Sequence, residues 1–270
     1  MQLRILTVGD VVGAPGRAAM KQHLKPLRQE RDIDFVVANA ENVTNGSGIS
    51  VKDAEALFRS GVDCITGGDH IWRKQETIAL ADSDRRVVRA ANFSAHAPGR
   101  GFTVLPSIKG IDVGVIHVLG RVFMPPIDCP FTAATAAVDR VRARTKVIIF
   151  DMHCEATSEK VAMGRHLDGR VSAVFGTHTH VPTADAQILP NGTGYITDVG
   201  MTGPYDSVLG RRTDRVLRRF TTGMPARFDV ATDDARLCGA LFTVDATTGR
   251  CLEVERIELR EADVPSEMPA

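Results

Sequence analysis

Five short apolar runs in this 270-residue chain each end in side chains able to hold a cation or move a proton. Asp10 follows residues 5–8 and Gly9, Glu41 and Asn42 follow 35–40, and Asp69 and His70 follow Ile65-Thr66-Gly67-Gly68. Asp151 and His153 close the run 147–150, and His178 and His180 come just after Val174-Phe175-Gly176. Such runs read as buried strands, and the carboxyl ends of strands are where an open α/β sheet gathers its ligand-binding groups. Each residue alone has a plainer reading. Asp10, just before Gly13-Ala-Pro-Gly16, suits a helix cap or a turn, and Glu41 or Asp69 alone suits a surface turn. A single histidine in an apolar run is usually a satisfied core residue, the reading given to His117, His23, His96 and His166. Recurrence at five strand ends is what favours a site.

The His178/His180 pair carries the most information. A spacing of two places both rings on one side of an extended segment, close enough to serve one metal cluster. Carboxylates with imidazoles suit manganese, iron or zinc, and the lack of clustered thiols disfavours a soft site. A carboxylate such as Glu41 can bridge two ions ~3.5–4 Å apart. An ion pair of this kind binds the oxygens of a phosphate ester, and a metal-bound hydroxide attacks in line with no protein nucleophile. Other chemistries fail on spacing. The segment 9–16 has neither the G-x-G-x-x-G of a dinucleotide turn nor the Gly-Lys-Ser/Thr ending of a P-loop. Asn45-Gly-Ser-Gly48 is not a G-x-S-x-G elbow and reads as a loop lining the site.

The elements that must position these groups follow from the pattern. Candidate strands lie at 3–8, 34–40, 64–66, 87–91, 113–118, 146–151, 173–176, 194–197 and 240–245. Helical periodicity covers 17–30, 51–60, 71–81, 132–144 and 157–167. The early alternation predicts a mostly parallel buried sheet with helices outside. Later strands crowd together with fewer helices, which predicts a second, more antiparallel sheet. The expectation is a four-layer α/β/β/α sandwich forming one domain over 1–260, with a loose tail at 261–270.

Composition narrows the setting. Hydrophobic residues at 43% and charged residues at 24% suit a soluble globular protein. Lys plus Arg (33) equals Asp plus Glu (33), so no global field attracts nucleic acid or an anionic membrane. No segment reaches the ~20 apolar residues of a membrane span, and the first residues run into a strand pattern without the features of a signal peptide. Five scattered cysteines without a C-x-x-C pair suit a reducing cytoplasm. On a helix, most of Arg211, Arg212, Arg215, Arg218 and Arg219 would share one face. A solvated surface is the leading reading for them, and a phosphate or RNA contact the alternative. A symmetric homo-oligomer is compatible with all of this.

The longer motifs add a resemblance. Gly9-Asp-Val-Val-Gly13, Ala40-Glu-Asn42, Gly67-Gly-Asp-His70, the run Asp151-Met-His-Cys-Glu-Ala-Thr-Ser-Glu-Lys160 and Gly176-Thr-His-Thr-His-Val-Pro-Thr-Ala-Asp185 resemble the YmdB-type bacterial metallophosphoesterases of the calcineurin-like superfamily. Thr197-Asp-Val-Gly-Met-Thr-Gly-Pro204 and Pro225-Ala-Arg-Phe228 extend the similarity to nearly the whole chain. The resemblance implies a dinuclear centre, often iron, acting on nucleoside 2′,3′-cyclic phosphates, with 3′,5′-cyclic AMP a further substrate. It implies that Asp10, Glu41, Asn42 and His180 hold the first ion. Glu41, shared, would join Asp69, His153 and His178 on the second, and His70 would be the general acid protonating the departing ribose oxygen.

Two departures stand out. Asp69 occupies a position usually Asn in this family, which predicts tighter metal binding at a less electrophilic centre. Val12 stands where the wider class has the His of Asp-x-His, and Asn42 is expected to fill that role. The rival readings are a ribonuclease or phosphomonoesterase using the same ions, and a regulatory protein that senses a cyclic nucleotide with little turnover.

Overall fold

The computed structural model describes residues 1–260; the tail expected at 261–270 lies outside the described residues. In chain order the first sheet takes β1 (Gln2–Val8), β2 (Asp10–Val11), β3 (Phe35–Asn39), β4 (Cys64–Gly67) and β5 (Val87–Arg89). The second takes β6 (Phe102–Pro106), β7 (Asp112–Leu119), β8 (Val147–His153), β9 (Ala173–Thr177), β10 (Gln187–Ile188) and β11 (Gly194–Ile196). The chain then returns to the first sheet with β12 (Met201–Pro204), β13 (Ala235–Asp245) and β14 (Cys251–Arg260). The helices are α1 (Gly13–Glu30), α2 (Val51–Ser60), α3 (Glu76–Ser83), α4 (Pro130–Arg142), α5 (Thr157–Leu167) and α6 (Thr213–Thr222).

The four layers follow from the period of two along the buried strands. Leu3 and Ile5 of β1 face the second sheet, whereas Leu6 and Val8 face α1 and α2. The seam between the sheets joins Phe35, Val37 and Phe242 to Val115, Ile149 and Phe175. Beyond the second sheet, Ile148, Phe150 and Val174 pack on Ala134, Val138 and Val141 of α4 and on Met163 and Leu167 of α5. α2 shows how the sequence places an element. Ser50 accepts the Asp53 N–H at 3.1 Å as its cap, and Gly61, at φ 109°, ends it in the left-handed region that glycine tolerates.

Three expectations change. The second sheet is mostly parallel: β7, β8, β9 and β11 run together, with antiparallel β6 and β10 at its edges. Helix α5 supplies the crossover from β8 to β9 that a parallel pair requires. The antiparallel strands join the first sheet instead, because the short 246–250 connection lets β14 pair only antiparallel with β13, which in turn lies against β1. The helix expected over 71–81 is a 3₁₀ turn, Ile71–Arg73, followed by α3. His96 and His166 are exposed rather than core, and His166 meets the Thr135 hydroxyl at 2.9 Å. No helix among the described residues is long and apolar enough to cross a membrane.

The layered core makes a contrast measurable by urea denaturation. Phe175→Ala, in the fully enclosed seam, is expected to cost about 3–5 kcal/mol. Phe220→Ala, on α6 with 76% of its surface exposed, should stay within about 0.5 kcal/mol of the parent.

Candidate metal centre

The ligand candidates singled out at strand ends all meet at one place, where the carboxyl ends of the two sheets face each other. Asp10 sits on β2, Glu41 and Asn42 follow β3, and Asp69 and His70 follow β4. His153 ends β8, and His178 and His180 follow β9. Within the expected ligand set, the first sheet therefore supplies every oxygen-bearing group and the second every imidazole.

Glu41, Asp69, His153 and His178 bring one ligand atom each within 4.8 Å of one another. His153 Nε2 lies 3.3 Å from Glu41 Oε1, 3.2 Å from Asp69 Oδ1 and 3.0 Å from His178 Nδ1. A second set adjoins it through Glu41, whose Oε1 is 3.3 Å from Asn42 Nδ2. That amide nitrogen is 3.3 Å from His180 Nε2, and Asp10 Oδ1 is 3.7 Å from the same ring nitrogen. His70 stands alongside: its N–H donates to Glu41 Oε2 at 3.1 Å, its Nδ1 is 2.8 Å from Asn42 Oδ1, and its Nε2 is 3.7 Å from Asp69 Oδ2. Asn42 thus turns its oxygen to His70 and its nitrogen to His180.

The surroundings fit cations. Asp10 is completely enclosed, yet its Oδ1 has no hydrogen-bond partner while Oδ2 accepts the His178 N–H at 3.0 Å. Burial works against ionising Asp10, but the neighbouring His180 and His153 and the His178 N–H win and hold its pKa far below the usual range. Asp69 behaves alike: burial opposes ionisation, and His153, His70 and His178 overcome it. Burial and the adjacent His153 charge push His178 down. Burial opposes charge on His153 and His180 too, but Glu41 and Asp69 beside the first and Asp10 beside the second push both rings up, so a cation would bind there by displacing protons. Gly68 lets the backbone approach: a Cβ there would lie 2.5 Å from His153 Cδ2 and 2.6 Å from Glu41 Oε2.

A second layer of bonds orients His153. Thr66 and Thr177 donate their hydroxyls to Asp151 at 2.6 and 2.7 Å, because a carboxylate can only accept. Thr177 Oγ1 therefore accepts from His153 Nδ1–H at 2.9 Å, so Nε2, facing Glu41 and Asp69, is the nitrogen that would give up its proton to a cation. Asn39 packs on the same edge, with Nδ2 3.2 Å from His153 Nδ1 and 3.5 Å from Thr177 Oγ1. The enclosed His117 puts Nδ1 3.0 Å from Asp151 Oδ2. Similarly, His180 Nδ1–H donates to the Leu209 carbonyl at 3.1 Å, which leaves its Nε2 facing Asp10. Asn39, Thr66 and Thr177 were missed in sequence, where only their place on the same strands could have raised them. Glu155, which puts Oε2 3.3 Å from His178 Nε2, was missed as well.

Three sequence readings change here. The 178–180 segment is not extended, since His178 has φ 93° and His180 φ 65°. Left-handed conformations at non-glycine residues cost ~1–3 kcal/mol each, so the turn is held from outside. Asp10 is not a helix cap: α1 begins after Val12 with no side-chain cap. Of the arginine cluster, Arg211 instead bonds the Gly46 and Phe228 carbonyls, tying the 45–48 loop down beside the centre. Gly68→Ala is expected to lower Mn²⁺ retention on dialysis by at least ~10-fold, the scale of a misplaced ligand shell, with circular dichroism unchanged.

Comparison with known proteins agrees with this architecture. The chain is 44% identical over 259 residues to the Bacillus subtilis 2′,3′-cyclic-nucleotide 2′-phosphodiesterase, covering 96% of this chain and 98% of that one. A crystal structure of a Mycoplasma pneumoniae protein described as a novel phosphatase superposes with TM-score 0.90 at 36% identity, covering 96% of this chain and 94% of that one. A Thermus thermophilus protein of known structure, described as hypothetical, also gives TM-score 0.90, at 40% identity and 96% and 100% coverage. The family described as YmdB-like protein matches residues 6–257. This chain belongs to the YmdB-like family.

Proposed function

We propose that this protein is a dinuclear metal-dependent phosphodiesterase that hydrolyses nucleoside 2′,3′-cyclic phosphates, with 3′,5′-cyclic AMP as a further substrate. The observation that carries the reading is two sets of oxygen and imidazole groups joined through one carboxylate, with His70 anchored to that same carboxylate by its main-chain N–H. The name of the Bacillus subtilis relative supports the substrate class.

In this reading Asp10, Glu41, Asn42 and His180 hold one ion, and Glu41, Asp69, His153 and His178 the other. Iron fits the mixed oxygen and nitrogen donors, as do manganese and zinc. Asn42 would present its oxygen by turning its amide over; as oriented here, it accepts from His70. Bound at the centre, the cations would neutralise phosphate charge and acidify the attacking water. The chain's own part is proton delivery and orientation. As the general acid, His70 would give Nε2–H to the departing ribose oxygen, with its main-chain N–H fixed on Glu41 Oε2. Its side chain is 29% exposed, so a substrate can reach that nitrogen. Asp69 Oδ2, 3.7 Å away, makes the Asp-for-Asn change bear on the acid as well as on the ions. Five unpaired thiols support a reducing, cytoplasmic setting.

Turnover of 2′,3′-cyclic AMP, with metal content measured on the same samples, tests the reading. Wild type should carry two ions and form the nucleoside monophosphate, and His180→Ala should lose both metal and product. Absence of metal-dependent product from wild type would refute the assignment. His70→Gln should keep its metals and lose ~10²–10⁴ in rate on the cyclic nucleotide. It should lose far less on bis-p-nitrophenyl phosphate, whose leaving group needs no proton. Asp69→Asn should hold metal more weakly and turn over faster; unchanged values in both would remove any role for the extra charge.

A further inference from the structure

The turn that carries His178 and His180 is gripped by residues outside the expected ligand set. Asp198, enclosed between β11 and β12, uses Oδ2 to accept the Thr179 Oγ1–H at 2.7 Å and the Thr179 N–H at 3.3 Å. Its Oδ1 accepts the Gly200 N–H at 2.8 Å, and its main-chain carbonyl accepts the Thr183 N–H at 3.0 Å. Lys160 of α5, only 1% exposed, meets Asp198 Oδ2 with Nζ at 2.6 Å and donates to the Thr177 carbonyl at 2.8 Å. The lysine stem runs over Gly176, where a Cβ would come within 2.9 Å of its Cδ. Thr177, Thr179 and Thr183 are thus fixed in turn, before, between and after the two left-handed histidines.

A buried ion pair is a weak source of stability compared with apolar side chains of the same volume. Its placement here instead serves geometry. Released from Asp198 and Lys160, the turn would relax toward the ordinary φ region and carry both rings away from the carboxylates they now face. We propose that Lys160 and Asp198 are positioning residues, a buried clamp that sets the affinity of both metal positions by holding Thr177-His178-Thr179-His180 in its left-handed turn. The inference rests on the metal-centre reading given above. It makes the α5 side of the second sheet part of the site's support, although neither residue belongs to the ligand set.

The test uses metal-free full-length protein, with Mn²⁺ affinity measured by chelator competition and thermal unfolding recorded without metal. Thr179→Val removes one hydroxyl bond to Asp198 and keeps the side-chain volume; Lys160→Met removes the charge and keeps the stem. Both variants are expected to retain their circular dichroism and to bind Mn²⁺ ~10–100-fold more weakly, the range typical of lost support behind metal ligands. Folded Thr179→Val with wild-type Mn²⁺ affinity overturns the proposal. So does Lys160→Met that unfolds at lower temperature yet binds Mn²⁺ as tightly as the parent, since the pair would then be merely structural. Should Lys160→Met fail to fold, Thr179→Val decides alone. Wild-type protein without Mn²⁺ affinity would overturn the metal-centre reading itself, and the clamp with it.

Discussion

Three carboxylates and three imidazoles share a small, mostly enclosed volume at the mouth of the seam between two sheets, and much of the surrounding structure answers to their mutual electrostatics. Asp10 and Glu41 are almost wholly out of water. Desolvated carboxylates this close repel one another strongly unless positive charge or donors intervene. The histidines supply that compensation, and the main-chain N–H groups of His70 and His178 add to it. Cations would do so more completely. The site is accordingly polarised toward positive charge, and its backbone lets the charged groups approach, most plainly at Gly68.

Support for the centre comes in two chains of polar contacts. One runs from His117 through Asp151 and Thr177 to His153, and it fixes which nitrogen of that last ring carries the proton. The other runs from Lys160 through Asp198 to Thr179. Both place a buried carboxylate behind the histidines and surround it with donors. Such networks are expensive when partly satisfied and rigid when complete.

Much of this was legible in the sequence because the candidate ligands fall at the ends of apolar runs, where period and polarity change together. The same signal located β1, β3, β8 and β9 and the residues that follow them. It failed where periodicity was masked. In β14, Cys-Leu-Glu-Val-Glu-Arg-Ile-Glu-Leu-Arg, charges crowd an edge strand that among the described residues pairs with β13 alone, so the run does not read as a strand. β6 is short and ends in Pro106, a residue that usually argues against a strand and is tolerated at this sheet edge. The conformation of His178 and His180 was invisible for another reason. Spacing alone suggests an extended segment, and the left-handed turn is held by Asp198 and Lys160, which lie well away from it along the chain. Partnership across layers leaves no local pattern.

The division of labour between the sheets has a consequence for cooperativity. Among the expected ligands, oxygen-bearing groups come only from the first sheet and its loops, and imidazoles only from the second. Neither layer folded alone would own the complete donor set, so ion occupancy would report the docking of one layer on the other rather than the formation of either. By mass action, a cation that binds only the docked state adds its binding free energy to that docking. The centre would then act as a clasp, coupling the closing of the apolar seam to the supply of metal in the surroundings.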